Sequence, residues 1–211
     1  MEVTRKLITI VGCGPGAREC VTPEALAAVR GAEVLIGAPR LLGLFVEATA
    51  ERIPARGNIP EVATAIATNA GRRIAVLVTG DPGISSLARS ILERFGLPAC
   101  HLIPGVSSVQ VAFARLGVDW MDARILSAHG GLPRTDFAAL EATSKIAILA
   151  GSAGAAEWVA GLAEHLGENW QLFLAENLTL PSETIRAISP RKLRKVPCAA
   201  LSILILLRSD C

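Results

Sequence analysis

The chain contains no tyrosine, and its aromatic residues amount to only 4% of the 211 residues. Proteins that bind single-stranded nucleic acid depend on aromatic side chains for base stacking, so this scarcity argues against that function. It also excludes a phenol as a catalytic acid or base. The net charge of +2 is too small to predict a surface that binds duplex nucleic acid.

Metal ligands and disulfide patterns are also lacking. The three histidines, His101, His129 and His165, are far apart and have no ligand spacing, so we predict no metal site. The five cysteines are dispersed and include no C-x-x-C pair. Such a set indicates reduced thiols and therefore a cytoplasmic protein.

No hydrophobic run is long enough to span a membrane. The most apolar segment, CAALSILILL at 198–207, falls short of the roughly 18–20 residues that a transmembrane helix needs, and it is better interpreted as a buried strand. The first residues, MEVTRKLITIVG, lead directly into a strand pattern without a secretory signal. We therefore expect a soluble protein with no membrane partner.

Short apolar runs alternate with longer segments of helical period, which is the pattern of an α/β protein with mostly parallel strands. The predicted strands are 7–12, 33–37, 74–79, 100–103, 124–128, 145–150, 171–175, 184–188 and 201–207. The predicted helices are 23–30, 60–70, 85–95, 107–116, 135–142 and 154–166, and the basic segment 189–195 is a surface helix or loop. Because the pattern restarts after Gly117, we predict an N-terminal α/β domain over 1–117 and a C-terminal α/β domain over 118–211.

The first glycine-rich loop, GCGPGA at 12–17, fits the spacing G-x-G-x-x-A. In a dinucleotide-binding turn the last small residue opens the helix, so that the helix N-terminus faces the pyrophosphate. Here the helix signals come later, at Thr22 and Pro23. The acidic residue expected after the second strand is also missing, since Ala38-Pro39-Arg40 follows that strand. This context disfavours the dinucleotide interpretation and leaves a purely structural turn as an alternative.

Two further loops come directly after predicted strands. One is Gly80-Asp81-Pro82-Gly83, and the other contains Pro104-Gly105 and leads to Ser107 and Ser108. The carboxyl ends of parallel strands share one edge of a sheet, where ligands bind, and glycines let the backbone approach a ligand closely. We therefore predict a ligand site at this edge. As alternatives, Asp81 can bond its own turn, and the two serines can serve only as helix caps.

The segments VGCGPG, TPEAL, VLVTGDPG, IPGVSSVQVAFARLG, LSAHGG and AENLTLPSETI together resemble the tetrapyrrole (corrin/porphyrin) methyltransferases. The likeness covers nearly the whole chain, and 104–130 is its most specific part. Within the family it is greatest to members that methylate C5 of precorrin-7 or cobalt-precorrin-7 in cobalamin biosynthesis.

The resemblance implies the tetrapyrrole methylase fold, in which two α/β domains hold S-adenosyl-L-methionine in the cleft between them, and it implies a homodimer. By motif position it implies the following cofactor contacts: Pro15, Gly80, Asp81, Ile84, Ser107, Ser108, Leu149, Ala150, Asn177 and Leu178. It identifies no catalytic residue and no metal.

The substrate of such an enzyme carries many acetate and propionate groups, for which the arginine fork is well suited. The expected macrocycle contacts are His129, Arg18, Arg40, Arg89 and Arg134, and for each arginine a solvated surface role is the alternative. The chain departs from the family pattern at two places. Relatives often carry aromatic residues where this chain has Ile84-Ser85, and many carry an arginine where it has Gly131.

Methyl transfer from a sulfonium to carbon is an in-line displacement in which the protein mainly aligns the reactants and excludes water. We expect a C-methyltransferase acting on C5 of precorrin-7 or cobalt-precorrin-7, with a separate C15-methyltransferase/decarboxylase as a functional partner and no nucleic-acid partner. One alternative is the same fold acting on another corrin carbon, on uroporphyrinogen or on diphthine. Others are a non-catalytic tetrapyrrole-binding protein and a nicotinamide-dependent reductase.

Overall fold

The computed structural model describes residues 7–152, 154–196 and 201–209. The chain divides into two compact units, the first ending at Ser107 and the second beginning at Ser108. The contacts group the helix over Ser108–Leu116 with the second unit, and the domain boundary at 117/118 stays a prediction.

The first unit contains a five-stranded parallel sheet in the order β3-β2-β4-β1-β5. The strands are β1 (Ile8–Gly12), β2 (Val34–Gly37), β3 (Glu51–Pro54), β4 (Ile74–Val78) and β5 (Cys100–Ile103). The helices are α1 (Pro23–Gly31), α2 (Pro39–Leu42), α3 (Ile59–Thr68) and α4 (Ala88–Phe95). This order places β1 between β4 and β5, so the loops that follow these three strands are neighbours.

Both faces of this sheet are buried. Ile10 and Val76 belong to a core cluster that includes residues of α3 and α4. Val11 and Leu77 belong to a second cluster that includes residues of α1 and α2. Every residue of β4 is buried, which is the expected pattern for a parallel strand covered by helices on both sides.

The start of α1 follows from its sequence. Thr22 is the N-cap, and its hydroxyl accepts a hydrogen bond from the Ala25 N–H at 3.2 Å. Pro23 occupies the first helical position, where its missing N–H costs nothing. The predicted helix start is therefore confirmed, and it separates the first glycine loop from the helix.

The second unit contains a five-stranded mixed sheet in the order β6-β7-β10-β8-β9. The strands are β6 (Arg124–Ser127), β7 (Lys145–Leu149), β8 (Trp170–Glu176), β9 (Thr184–Ala187) and β10 (Ser202–Arg208). The helices are α5 (Ser108–Leu116), α6 (Ala155–Leu166) and α7 (Pro190–Leu193). Among the described helices α6 is the longest, and none is long and apolar enough to cross a membrane.

The expectation of mostly parallel strands is wrong for this second sheet. Strand β10 pairs antiparallel with both β7 and β8, and β9 pairs antiparallel with β8. Because β6 is parallel to β7, and β7 and β8 are both antiparallel to β10, the strands β6, β7 and β8 run in the same direction.

Two other differences from the predicted elements have local causes. Strand β3 was not predicted, because its sequence ERIP contains only one apolar residue besides proline and is largely exposed at the sheet edge. The helix predicted over 135–142 is a short 3-10 turn at Phe137–Leu140, which is capped by the Asp136 carboxylate.

A buried lysine fixes the connection between α5 and the second sheet. The Lys145 side chain, at the start of β7, is 8% exposed, and its Nζ lies 2.9 Å from Asp119 Oδ1 and 2.7 Å from Asp122 Oδ1. The hydrogen bonds to Asp119 and Asp122 raise the pKa of Lys145. The connection that carries both aspartates is thereby tied to the first residue of β7.

Candidate functional site

The loops that follow β1 and β4 are joined by backbone hydrogen bonds. Gly14 and Gly80 form an isolated antiparallel bridge, in which the Gly80 N–H donates to the Gly14 carbonyl at 2.8 Å. The Cys13 N–H donates to the Val78 carbonyl at 2.9 Å. The two glycine-rich loops therefore form one continuous backbone surface at the carboxyl edge of the sheet.

The loop that follows β5 packs against the other two so closely that side chains would not fit. A Cβ atom on Gly105 would lie 2.4 Å from the Gly80 carbonyl oxygen, and one on Gly12 would lie 2.6 Å from the Gly105 nitrogen. Gly14 and Gly80 also have φ values of +74° and +67°, in the left-handed region that favours glycine. The glycines of this edge are thus required by close approach and by backbone conformation.

Asp81 holds two of these loops together. Its Oδ1 accepts a hydrogen bond from the Gly83 N–H at 2.7 Å, and its Oδ2 accepts one from the Gly105 N–H at 3.1 Å. The alternative in which Asp81 bonds its own turn is therefore present, together with a second bond across to the next loop. In this structure Asp81 orders the edge through backbone N–H groups.

The other predicted residues of the first unit also lie in these loops. Pro15 is buried in the loop after β1, and Ile84 donates its N–H to the Asp81 carbonyl at 3.1 Å. Ser107 is buried, and its Cα lies 3.9 Å from the position that a Gly80 Cβ would take. Ser108 is the first residue of α5 and of the second unit.

One of the predicted arginines, Arg40, reaches this edge. It lies on α2, immediately after β2, and its Nη2 donates to the Thr79 hydroxyl at 2.9 Å. Thr79 follows β4 and precedes Gly80. Burial lowers the pKa of the Arg40 guanidinium, although the residue keeps part of its surface exposed. Burial likewise raises the pKa of the nearby Cys13 thiol to about 12.

The remaining predicted arginines are placed differently. Arg18 forms an ion pair with Glu47, and this hydrogen bond lowers the pKa of Glu47 to about 2. Arg89 pairs with Glu93 one turn further along α4 at 2.8 Å. Arg134 is exposed in the segment between β6 and the 3-10 turn. The structure therefore brings Arg40 to the glycine loops and gives Arg18 and Arg89 carboxylate partners of their own.

The predicted residues of the second unit gather at one edge of its sheet. Leu149 ends β7 and Ala150 follows it, while Asn177 and Leu178 follow β8, which runs in the same direction. The Ala150 N–H donates to the Ser202 carbonyl at 3.0 Å, and the start of β10 therefore lies beside them. Ala150 and Leu178 are buried and present mainly apolar surface.

His129 follows β6 at this same edge and lies over a glycine. A Cβ atom on Gly151 would lie 2.3 Å from the His129 Nδ1, so the imidazole occupies the space that a side chain at position 151 would need. Burial lowers the pKa of His129, and its imidazole is therefore neutral at pH 7.

Sequence reasoning missed two hydroxyls at these edges. Ser202 is 3% exposed at the start of β10, and its Oγ has no hydrogen-bond partner among the described residues. It lies inside the apolar run at 198–207, where nothing distinguishes it from a core position. The sequence pattern identifies Thr79 only as the end of the predicted strand 74–79. Its contact with Arg40 joins residues that are far apart in the chain, so no local pattern indicates it.

A family model described as Tetrapyrrole (Corrin/Porphyrin) Methylases matches residues 7–193. The chain is 31% identical over 180 residues to the cobalt-precorrin-7 C(5)-methyltransferase of Salmonella typhimurium, covering 85% of this chain and 89% of that protein.

Two solved structures have a similar fold. The precorrin-6Y methylase of cobalamin biosynthesis from Archaeoglobus fulgidus is 28% identical with a TM-score of 0.74, over 97% of this chain and 98% of that one. The uroporphyrin-III C-methyltransferase from Thermus thermophilus, solved in complex with S-adenosylhomocysteine, is 20% identical with a TM-score of 0.76, over 96% of this chain and 98% of that one. The second likeness shows the fold alone.

Proposed function

The chain belongs to the tetrapyrrole (corrin/porphyrin) methylases and is a methyltransferase. On that premise we propose that it transfers a methyl group from S-adenosyl-L-methionine to C5 of precorrin-7 or cobalt-precorrin-7 in cobalamin biosynthesis. The substrate in this proposal is taken from the printed name of the Salmonella typhimurium relative. The cofactor, S-adenosyl-L-methionine, is the one that the family resemblance implies. The Thermus thermophilus protein of the same fold was solved with S-adenosylhomocysteine, the demethylated form of this cofactor.

The observation that carries the proposal is the backbone surface in the first unit. The loops at 12–16, 79–84 and 104–107 contain only two ionisable side chains, those of Cys13 and Asp81. The Cys13 thiol is neutral at pH 7, because burial raises its pKa to about 12. Closely packed backbone groups let a cofactor approach this edge, and the loops themselves contribute one carboxylate and no cation, since the Arg40 charge comes from α2. The residues present therefore fit this cofactor.

When bound, the cofactor supplies a methyl group on a cationic sulfur that is already a good leaving group. The protein then has to bind both reactants, align them and exclude water. In this proposal the glycine loops, ordered by Asp81, bind the cofactor. His129, neutral at pH 7, contacts the macrocycle as a hydrogen-bonding ring and brings no positive charge. We assign no side chain to the proton that leaves the ring carbon.

The individual cofactor contacts at both sheet edges are part of this proposal. A homodimer, a cytoplasmic location and a separate C15-methyltransferase/decarboxylase stay predictions from the resemblance.

The first test is calorimetric titration of the purified chain with S-adenosylhomocysteine, with NADH as a parallel titration. We expect saturable binding of S-adenosylhomocysteine and none of NADH. If the folded protein does not bind S-adenosylhomocysteine, the proposal is contradicted.

The second test is incubation with S-adenosyl-L-methionine and precorrin-7, its cobalt form or uroporphyrinogen III. We expect the mass of one added methyl group on a precorrin-7 form, located at C5 by NMR. Methylation of uroporphyrinogen III alone would assign the chain to another substrate of the family.

A further inference from the structure

Unlike seven other arginines of this protein, Arg40 has no carboxylate partner among the described residues. Ion pairs join the following residues: Arg18 and Glu47, Arg72 and Glu51, Arg73 and Glu33, Arg89 and Glu93, Arg115 and Glu183, Arg186 and Glu176, and Arg194 with Glu157 and Glu164. Within the described ranges no carboxylate lies at ion-pair distance from Arg40, and its guanidinium is hydrogen-bonded to the neutral Thr79 hydroxyl.

The position of Arg40 is fixed by the fold. Strand β2 lies beside β4, which lies beside β1, so Arg40 follows the strand next to the two joined glycine loops. The short helix α2 starts with Pro39 at its first position, and its own residues Leu41 and Leu42 are buried. The bond to Thr79 then holds one guanidinium nitrogen next to Gly80.

No described neighbour neutralises the Arg40 charge. The guanidinium stays protonated at any physiological pH. The ionisable group that it influences is Cys13, whose thiol is neutral because burial raises its pKa to about 12. Both oxygens of Asp81 accept backbone N–H groups within the loops. Because Arg40 is exposed and has no counter-ion among the described residues, its guanidinium is accessible to an anion that reaches this edge.

We propose that Arg40 binds a carboxylate at this edge, and that Thr79 positions its guanidinium for that contact. Thr79 occupies one N–H, and the planar fork retains others for a bidentate bond to a carboxylate. The inference rests on the proposed function, in which two parts of the reaction carry this group. One is the amino-acid end of the cofactor, and the other is an acetate or propionate group of the macrocycle.

The test compares Arg40→Met with Arg94→Met, which removes an exposed arginine from the last turn of α4. Calorimetry measures the affinity for S-adenosylhomocysteine and for 5′-methylthioadenosine, which lacks the amino-acid carboxylate. Fluorescence titration measures the affinity for uroporphyrin, a macrocycle whose peripheral groups are carboxylates. Arg40→Lys serves as a second variant that keeps the charge and loses the fork, and thermal unfolding checks that each variant is folded.

A charge-assisted bond predicts a loss of affinity of about 10- to 100-fold in Arg40→Met, a smaller loss in Arg40→Lys and no change in Arg94→Met. Weaker binding of S-adenosylhomocysteine with unchanged 5′-methylthioadenosine binding would assign the carboxylate to the cofactor. Weaker binding of uroporphyrin alone would assign it to the macrocycle.

Two results would overturn the inference. In one, Arg40→Met matches the wild-type chain in all titrations, and in the other it loses S-adenosylhomocysteine and 5′-methylthioadenosine equally. Failure of the wild-type chain to bind S-adenosylhomocysteine would instead count against the proposed function.

Discussion

In the first unit the loops at the sheet edge contact one another through backbone atoms, whereas the edge of the second unit is built largely from side chains. Gly12, Gly80 and Gly105 approach so closely that a Cβ on Gly12 or Gly105 would overlap a neighbouring main chain. In the second unit the left-handed position after β8 is occupied by Asn177, with φ of +52°. There the overlap at Gly151 is with the His129 ring, which can move by rotation.

This difference between the two edges indicates where each unit can accept amino-acid substitutions. Backbone cannot rotate out of the way, so added atoms in the first unit must displace whole loops. A side-chain surface can adjust, and its properties follow from the chemistry of single residues. We therefore expect substitutions at the first edge to weaken ligand binding strongly and substitutions at the second edge to have graded effects.

Gly105→Ala gives the largest expected effect. Its Cβ would lie 2.4 Å from the Gly80 carbonyl oxygen, so the loops must separate. The strain of overpacking, about 1–3 kcal/mol, corresponds to a loss of up to about 100-fold in S-adenosylhomocysteine affinity by calorimetry. Gly31→Ala is the matched control, since a Cβ there meets nothing within 4 Å and should leave affinity unchanged. Equal affinities in the two variants would refute the backbone contact.

Asp81→Ala should have the next largest effect, because it removes the bond between two loops. Loss of the contacts to Gly83 and Gly105 should weaken S-adenosylhomocysteine binding about tenfold, which corresponds to about 1.5 kcal/mol, the lower end of the range typical of hydrogen bonds to charged groups. Asp136→Ala is the control, since Asp136 lies in the second unit and, among the residues that the structure describes, accepts a hydrogen bond only from the Ala138 N–H of its own turn. If Asp136→Ala lost as much affinity for S-adenosylhomocysteine, the loss in Asp81→Ala would not result from the bond between the two loops.

The first edge could be predicted from the sequence better than the second, and the sheets explain why. In a parallel sheet the loops that follow the strands lie at the same edge, so Gly80 and Gly105 could be placed at one edge from strand direction alone. In the second sheet β10 lies between β7 and β8 and is antiparallel to both. Because β10 follows all the other strands in the chain, the sequence does not indicate this central position. Leu149 and Asn177 still share an edge, because β7 and β8 run in the same direction.

Contacts between distant loops could not be predicted at either edge. The Arg40 bond to Thr79 and the second bond of Asp81 depend on side-chain directions that no local pattern encodes. Ser202 lies in an apolar run whose other residues fit the pattern of a core strand, so its buried hydroxyl could not be predicted.

At the second edge, substitutions of Asn177 should affect stability according to the backbone preference of the new residue. Asn177→Val places a β-branched residue at a φ of +52° and should lower the free energy of unfolding by about 1–2 kcal/mol. Asn177→Gly accepts this conformation and should change it by less than about 0.5 kcal/mol. Urea unfolding followed by circular dichroism measures both. A valine variant as stable as the glycine variant would show that this turn is not constrained.

The smallest expected effect is a pH dependence that belongs to the second edge alone. Burial lowers the pKa of His129 below its ordinary value of 6.5, so the unfolded chain takes up a proton before the folded chain does. His129 therefore contributes to a loss of stability as the pH falls through 6.5, and above that value this contribution vanishes. Cys13 at the first edge does not titrate in this range, because its pKa is about 12.

The measurement is the urea midpoint of the wild-type chain and of His129→Gln between about pH 5 and pH 7. We expect the wild-type midpoint to fall more steeply on acidification than that of the variant, and the two slopes to coincide above this range. Parallel curves throughout would mean that His129 titrates alike in the folded and unfolded chains. The imidazole would then not be desolvated above Gly151, and the second edge would be as insensitive to pH as the first.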